Sequence, residues 1–405
     1  MIPATQKRVL LVAAKTGYQV REFYGAAQRL NVDLVLATDR CHILENPWGD
    51  DATPVPFDTP AESIRALAAR GPFDGILAVG DEPAFVAASI AEHLGLRFHP
   101  SDSAQAASDK FLTRERFREA GLNVPRYRLL EPADSTPPLP FPCVLKPLHL
   151  SASRGVIRAD HTATFEAALS RIYKIAGNKA SVLVEEFIPG REFALEGVVT
   201  RGRLQVLALF DKPDPLDGPY FEETIYITPS RESSAVRQAI DATCQEAVTA
   251  LGLADGPVHA EMRVNQRGVW MLEAAARPIG GLCARVLAFG SGLTLEDVLL
   301  RHALGLDVSA VNLMPGSHGV MMIPIPRAGM FLGVAGVEKA SSTADITAVE
   351  ITAKEGQRMD PLPEGASYLG FLFAHAPSAA AVEQALRHAH SALEIQVVPA
   401  LPVVR

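Results

Sequence analysis

Residues 259–281 read HAEMRVNQRGVWMLEAAARPIGG. Two β-prone runs, 259–264 and 269–273, flank the polar turn Asn265–Gly268, which predicts a hairpin. Glu261 and Glu273 can then lie on neighbouring strands with their side chains on one face. Two bare carboxylates so placed repel each other unless a cation sits between them. Mg²⁺ takes hard oxygen ligands and usually shares them with substrate phosphates. Four residues beyond Glu273 comes Arg277, followed by Pro278-Ile279-Gly280-Gly281. An arginine here can neutralise a transferring phosphoryl group or a substrate carboxylate. A solvated hairpin, with Arg263 or Arg277 paired to a glutamate, accounts for the same spacing, and these residues alone do not decide between the two. Trp270 and Met271 read as core.

Upstream, 8–14 (RVLLVAA), 32–37 (VDLVLA) and 73–79 (FDGILAV) read as buried strands. Helical spacing over 20–30 and from Gly80-Asp81 through Leu94 separates or follows them. Such alternation predicts a parallel sheet with crossover helices. Gly17 follows the first strand, but its surroundings do not fit GxGxxG, so a scaffold is expected rather than a dinucleotide site. A charged helix is expected over 108–120, stopped by Gly121. Pro137, Pro138, Pro140 and Pro142 then lead to a short strand at 143–146. Residues 181–188 and 192–200, separated by Pro189-Gly190, resemble a hairpin. A strand at 203–210 and helices at 236–251 and 295–304 follow. From about residue 316 the tail reads as a small α+β module, with strands near 319–325, 348–352 and 368–375 and a helix over 378–395.

The 405 residues suggest about two to four domains. With 38 basic against 46 acidic residues, a net charge of −8 argues against a general nucleic-acid binder. Cys41, Cys143, Cys244 and Cys283 form no CxxC pair, so neither a zinc site nor a disulfide framework is expected. The apolar run after Lys7 and Arg8 is too short for a signal peptide, and no stretch approaches the ~20 apolar residues that span a bilayer. The expectation is a cytoplasmic protein without membrane partners.

Two further segments carry chemistry. Lys146 ends a strand in VLKP and is followed by Leu148-His149-Leu150-Ser151-Ala152-Ser153-Arg154-Gly155-Val156. A loop of small residues exposes backbone N–H groups that can cradle phosphate oxygens. The run Val184-Glu185-Glu186-Phe187-Ile188-Pro189-Gly190-Arg191-Glu192 can make an apolar slot with a carboxylate beside it, or simply an edge hairpin with solvated glutamates.

Taken in order, SDK with Lys110, VLKP with Lys146, the SxSxGV loop, VEEFIPGRE, HAEM and LEAAARPIGG resemble the ATP-grasp superfamily. The segment from Phe210-Asp211-Lys212-Pro213 through Phe221-Glu222-Glu223 to Pro229-Ser230, with the α+β tail, is most similar to its L-amino-acid ligase branch. The resemblance implies an α/β and α+β multidomain fold. Residues 1–106 would form an N-terminal parallel-sheet domain and 107–315 the ATP-grasp domain, with a lid at about 122–181. Residues 316–405 would form a C-terminal module.

By the same resemblance, Lys110 and Lys146 approach the ATP phosphates, and Ser151, Ser153 and Gly155 close over them. Glu186, Phe187 and Ile188 bind the adenine edge with Glu185 close by, and Glu192 holds the ribose. Glu261 and Glu273 are the Mg²⁺ (or Mn²⁺) ligands. Arg277, with Lys146 and Ser153, serves catalysis. His259, Glu222, Glu223, Gly280 and Gly281 are candidate substrate contacts, and a packed histidine or a solvated acidic pair explains the first three equally simply. Many superfamily members place asparagine two residues after the second glutamate; here Ala275 stands there, so one metal ligand is missing.

The implied activity joins a carboxylate to an amine in two steps: phosphorylation of the acid by ATP, then displacement of phosphate by the amine. A ligase for a non-proteinogenic acid and a non-catalytic ATP-binding regulator are the alternatives. The expected partners are small-molecule substrates and a second copy of the chain.

Overall fold

The computed structural model describes residues 6–14, 18–39, 52–132, 134, 136–178 and 180–399. Gly17 and Cys41 lie outside them. Cys143, Cys244 and Cys283 are free thiols buried in apolar surroundings.

The chain begins with β1 (Lys7–Ala13), α1 (Tyr18–Leu30), β2 (Val32–Thr38), β3 (Ala52–Pro54), α2 (Pro60–Ala68), β4 (Gly75–Val79) and α3 (Asp81–Leu94). The strands form a parallel sheet in the order β3-β2-β1-β4. Val9, Leu10, Leu11 and Val12 are all fully buried, as a strand covered on both faces requires. At the carboxyl end of β4, Gly80 turns with φ 108° and α3 starts at Asp81. In open α/β sheets this end is where ligands bind.

The helix expected over 108–120 is α5 (Lys110–Glu119), and a second helix, α4 (Ser101–Ser108), precedes it. Asp109 separates them: its backbone is extended, and its carboxylate accepts from the N–H groups of Phe111 and Leu112. This N-cap starts a new helix with Lys110 as its first residue.

Next come β5 (Tyr127–Leu130), β6 (Cys143–Pro147), β7 (Ile157–Ala159), α6 (Thr162–Ala176) and β8 (Val182–Glu186). They make a four-stranded antiparallel sheet, β5-β8-β6-β7, with its own core of Leu130, Leu145, Phe165, Ile172 and Val184 among others.

The remaining chain supplies β9 (Arg191–Thr200), β10 (Arg203–Asp211), β11 (Ile225–Thr228), α7 (Ser234–Leu251), β12 (Gly256–Asn265), β13 (Gly268–Ala275) and α8 (Leu295–Ala303). The tail adds β14 (Ser317–Ile323), β15 (Gly329–Ala335), α9 (Val337–Ser341), β16 (Ile346–Ile351), β17 (Arg358–Met359), β18 (Gly370–Ala376), α10 (Ala379–Ser391) and β19 (Glu394–Val398). An eight-stranded antiparallel sheet runs β13-β12-β9-β10-β11-β14-β18-β16. Three tail strands thus extend the sheet begun by β9, while β17-β15-β19 form a small sheet beside it.

The hairpin expected across Pro189-Gly190 does not form. β8 pairs with β5 and β6, whereas β9 pairs with β10 and β12. The chain changes sheets here. Gly190, at φ 138°, passes so close to β12 that an added Cβ would lie 2.5 Å from the Val264 carbonyl oxygen. Only glycine permits that approach.

β9 is buried on both faces and alternates its allegiance. Phe193, Leu195 and Val199 pack with Ile240, Cys244 and Val248 of α7, while Ala194 and Val198 pack on the other side with Phe210. Glu192 and Glu196 share the face of Ala194, and that face carries the site.

Candidate functional site

The cross-strand register assembles a charged face in the middle of an otherwise apolar sheet. Glu192 and Glu196 of β9 stand opposite Arg263 and His259 of β12, and Glu261 stands opposite the small Ala194. Direct pairs follow. Arg263 Nε donates to Glu192 Oε2 at 2.8 Å, and His259 Nδ1 lies 3.1 Å from Glu196 Oε2.

On the other side of β12, Glu261 faces Glu273. A straight ladder from the Asn265–Gly268 pair would bring Leu272 opposite Glu261 instead. A bulge at this point makes the extra residue Leu272 unpaired and advances Glu273 by one place. Its freed carbonyl accepts from Arg114 Nη2 at 2.6 Å. The change of phase is visible in the core: Met271 before the bulge and Ala274 after it face the same cluster. The two carboxylates are therefore neighbours, as the sequence suggests, but by a device it does not display. They offer the hard oxygen donors that Mg²⁺ takes, and Ala275, fully buried, offers none.

Lys212, just past β10, is the group the sequence reading missed. Its ammonium is buried and donates to Glu192 Oε1 at 3.0 Å, to Glu261 Oε1 at 3.1 Å and to Glu223. Among the described residues, Glu192, Glu223 and Glu261 are the three carboxylates close enough to share one cation. Lys212 supplies that charge. Burial opposes its ionisation, yet the carboxylates hold its affinity for the proton well above the ordinary lysine value. Burial also raises Glu223, to about 7, against the pull of Lys212. His259 is raised to about 9, since Glu196 and Glu261 outweigh its burial. The signals for Lys212 were a charge at the end of the strand-like run 203–210 and its place in the Phe210-Asp211-Lys212-Pro213 segment, neither of which gave it a role.

The four-stranded sheet faces this surface. Lys146 on β6 lies 2.6 Å from Glu185 on β8, and Arg114 of α5 pairs with the same carboxylate. Arg114 and Glu185 are buried, and the Lys146 side chain is 13% exposed. Desolvation would lift the Glu185 carboxyl, but Arg114 and Lys146 hold it down at about 2. Lys146 is lowered, chiefly by burial. Glu185 thus anchors Lys146 and is fully occupied in doing so. Glu186, beside it, pairs with Arg126 at 2.8 Å.

Between the two sheets lies a cleft of about 560 Å³. It is lined by Lys110, Lys146, Ser151, Ser153, Glu185, Glu186, Phe187, Ile188 and Glu192, and by His259, Glu261, Glu273, Arg277, Gly280 and Gly281. Glu223 lines it too, whereas Glu222 and Gly155 do not. Lys110 Nζ donates to the Leu150 carbonyl at 2.6 Å, next to the small-residue loop. At one end Phe187 stacks on Phe221, and the guanidinium groups of Arg158 and Arg263 lie 4.2 and 5.1 Å from the Phe187 ring centre. This is a flat, apolar slot with Glu192 at its edge. At the other end Arg277 Nε donates to Asp81, the first residue of α3, at 2.7 Å, with Glu273 3.9 Å from Nη2. The ion pairs foreseen for Arg263 and Arg277 both form, and they form inside the cleft. Asp81, Arg114 and Glu196 went unforeseen because their partners lie on other elements.

Residues 139–286 match the model of the ATP-grasp domain, and 321–398 match that of the L-amino acid ligase C-terminal domain 2. Alanine–anticapsin ligase of Bacillus subtilis is 28% identical over 255 residues, 53% of this chain and 53% of that protein. An ATP-grasp enzyme of Aspergillus fumigatus is 27% identical over 263 residues, 60% of this chain and 46% of that one. The chain therefore spans about half the length of these relatives. The crystal structure of an L-amino acid ligase from Bacillus licheniformis superposes with a TM-score of 0.82 at 24% identity, covering 98% of this chain and 100% of that one, which shows a common fold. Residues 139–286 of the chain are thus an ATP-grasp domain, and 321–398 correspond to the C-terminal domain 2 of the L-amino acid ligases.

Proposed function

We propose that the chain is an ATP-dependent carboxylate–amine ligase. A substrate carboxylate attacks the γ-phosphorus of ATP and ADP leaves. The amine of a second substrate then attacks the acyl carbon, phosphate leaves with the C–O bonding pair, and an amide remains. Amines do not displace the oxygen of a free carboxylate, so phosphorylation supplies the leaving group. One observation carries the reading: a single cleft joins an apolar slot, two lysines, a loop of small residues, a cross-strand carboxylate pair and a largely buried arginine.

In this reading the backbone of Glu186–Ile188 holds the adenine edge and Glu192 the ribose. Lys110, Lys146, Ser151 and Ser153 face the phosphates, and Gly155 gives the loop its turn. Mg²⁺, or Mn²⁺ in its place, would be held by Glu261 and Glu273, and when bound it offsets the charge of the transferring phosphoryl group. Arg277 grips the acyl phosphate with its planar fork. His259, Glu223, Gly280 and Gly281 face the two substrates; Glu222, off the cleft, drops out of this role. The lid, at about 122–181 within an ATP-grasp domain of 107–315, comprises β5, β6, β7 and α6 of the four-stranded unit, and β8 joins it to the rest of the domain. Residues 1–106 and 316–405 flank it, and closure keeps water from the labile intermediate.

The relative named alanine–anticapsin ligase favours an amino acid as one substrate. No helix among the described residues is long and apolar enough to cross a membrane. We further take the protein to be a cytoplasmic homodimer, which sedimentation and fractionation test. The activity itself is tested by supplying ATP, Mg²⁺ and a panel of amino-acid pairs, then measuring ADP and the mass of the product. ADP should form only when acid and amine are both present, and Glu273→Gln should abolish it in a folded protein. ATP hydrolysis indifferent to both substrates would contradict the proposal.

A further inference from the structure

The loop after Lys146 has an awkward backbone. Ala152 and Ser153 both have left-handed φ angles, 55° and 54°, and Gly155 follows at 72°. Side-chain-bearing residues keep such angles only where their surroundings over-determine them. Bonds inside the loop, from Arg154 N–H to Ser151 and from Val156 N–H to Ser153, do part of this. Gly155 also sits against the end of β6, where an added Cβ would lie 2.8 Å from Pro147 Cγ.

The rest comes from far along the chain. The Gly155 N–H donates to the Pro363 carbonyl at 2.9 Å, and Arg154 Nε donates to the Glu364 carbonyl at 2.9 Å. The Glu364 carboxylate is gripped by Arg171 of α6, Nε at 2.6 Å and Nη2 at 3.0 Å. Arg171 is steadied in turn by Tyr220, bonding its hydroxyl and lying 5.2 Å from its ring centre. A few residues on, Ala366, Ser367 and Tyr368 line the cleft itself. One tail segment thus touches the back of the loop and the wall of the cleft.

We propose that Glu364 is a positioning residue for the phosphate loop. Clamped by Arg171, it fixes the two carbonyl acceptors that hold Arg154 and Gly155, and so sets nucleotide affinity from the C-terminal part of the chain. The inference rests on the cleft being a nucleotide site. Both Arg171 and Glu364 are about two-fifths exposed, at 42% and 41%, so as a plain surface ion pair they would add little to stability. A positioning role makes a different demand: nucleotide binding should suffer far more than the fold.

The test compares Arg171→Glu, Glu364→Arg, the double exchange, and Glu364→Gln, which removes the charge at nearly constant size. ADP binding to the full chain is measured by calorimetry, alongside thermal melting and ATP kinetics. Each charge reversal should weaken ADP binding and raise the KM for ATP roughly tenfold, with kcat at saturating ATP changed by less than about threefold. Glu364→Gln should weaken binding by about threefold, and the exchange should restore it to within about threefold of the unaltered chain. Unchanged ADP affinity in both folded single variants overturns the proposal, as does an exchange that rescues nothing. Lack of ADP binding by the unaltered chain overturns the nucleotide reading itself, and is seen before any variant is compared.

Discussion

The two walls of the cleft are built on different physics. The wall formed by β9, β12 and β13 is a lattice of buried charges: Glu192 with Arg263, Glu196 with His259, and Lys212 among three carboxylates. Glu192, Glu196, His259, Glu261 and Arg263 are placed by strand register, and Lys212 and Glu223 reach them from the segment between β10 and β11. The facing wall contributes one buried cluster, Arg114–Glu185–Lys146, but its loop carries no such lattice. That loop is shaped by left-handed backbone and by bonds from a tail segment with exposed side chains. Buried charge resists movement because separating the partners strands a desolvated ion. Exposed contacts give way at small cost. The first wall is suited to holding metal and substrate in fixed geometry, the second to opening and closing.

The sharpest break in that contrast is Glu185→Ala. Buried Arg114 and largely buried Lys146 would lose their shared counter-ion, and breaking such a cluster typically costs about 3–5 kcal/mol. Denaturant unfolding should show a loss of that order. The same group gives a pH signature. Its folded pKa, about 2, lies below the ordinary value of 4.5, so its stabilisation is complete above 4.5 and fades as the pH falls towards 2. Acid unfolding of Glu185→Ala should lack that component. An alanine variant with unaltered stability and acid midpoint would show that the cluster is not what anchors this wall.

Next in size is Arg277→Lys. Lysine keeps the charge but loses the fork, and removing one preorganised contact to developing charge costs on the order of 10²–10³ in rate. Single-turnover amide formation should fall by that factor while ADP affinity barely moves. If Arg277 only pairs with Asp81 and Glu273, lysine should serve nearly as well.

The smallest effect is expected at the apolar slot. Phe187→Ala removes the ring that lies against Arg158, Arg263 and Phe221, a contact worth roughly 1 kcal/mol or about fivefold in affinity. ADP titration should show it without a matching loss of kcat.

Much of this was legible in the sequence wherever local pattern decides the structure. The apolar runs of β1, β2 and β4 announce a parallel sheet, and 259–273 announce a hairpin with two acidic positions. The ordered motifs bring Lys110, Lys146, Ser151, Ser153, Glu261, Glu273 and Arg277 to one cleft. What was hidden depends on pairing between distant strands. Nothing in LEAAAR marks Leu272 as the bulged residue, because the extra place exists only relative to β12. Nothing near Pro189-Gly190 shows that β8 and β9 join different sheets. Glu185 reads as a ribbon of acidic residues beside Glu186 until Arg114 and Lys146 are brought against it. Lys212 gains its meaning only when three glutamates converge on it.

The central claim is that a carboxylate is activated by transfer of the γ-phosphoryl group, and isotope transfer tests it most directly. A substrate acid labelled with ¹⁸O in its carboxylate would be turned over with ATP, Mg²⁺ and an amine substrate, and the released phosphate analysed by mass. Passage through an acyl phosphate predicts that each phosphate carries one oxygen from the acid, in step with amide formed. Phosphate without label, accompanied by normal amide yield, would contradict the account.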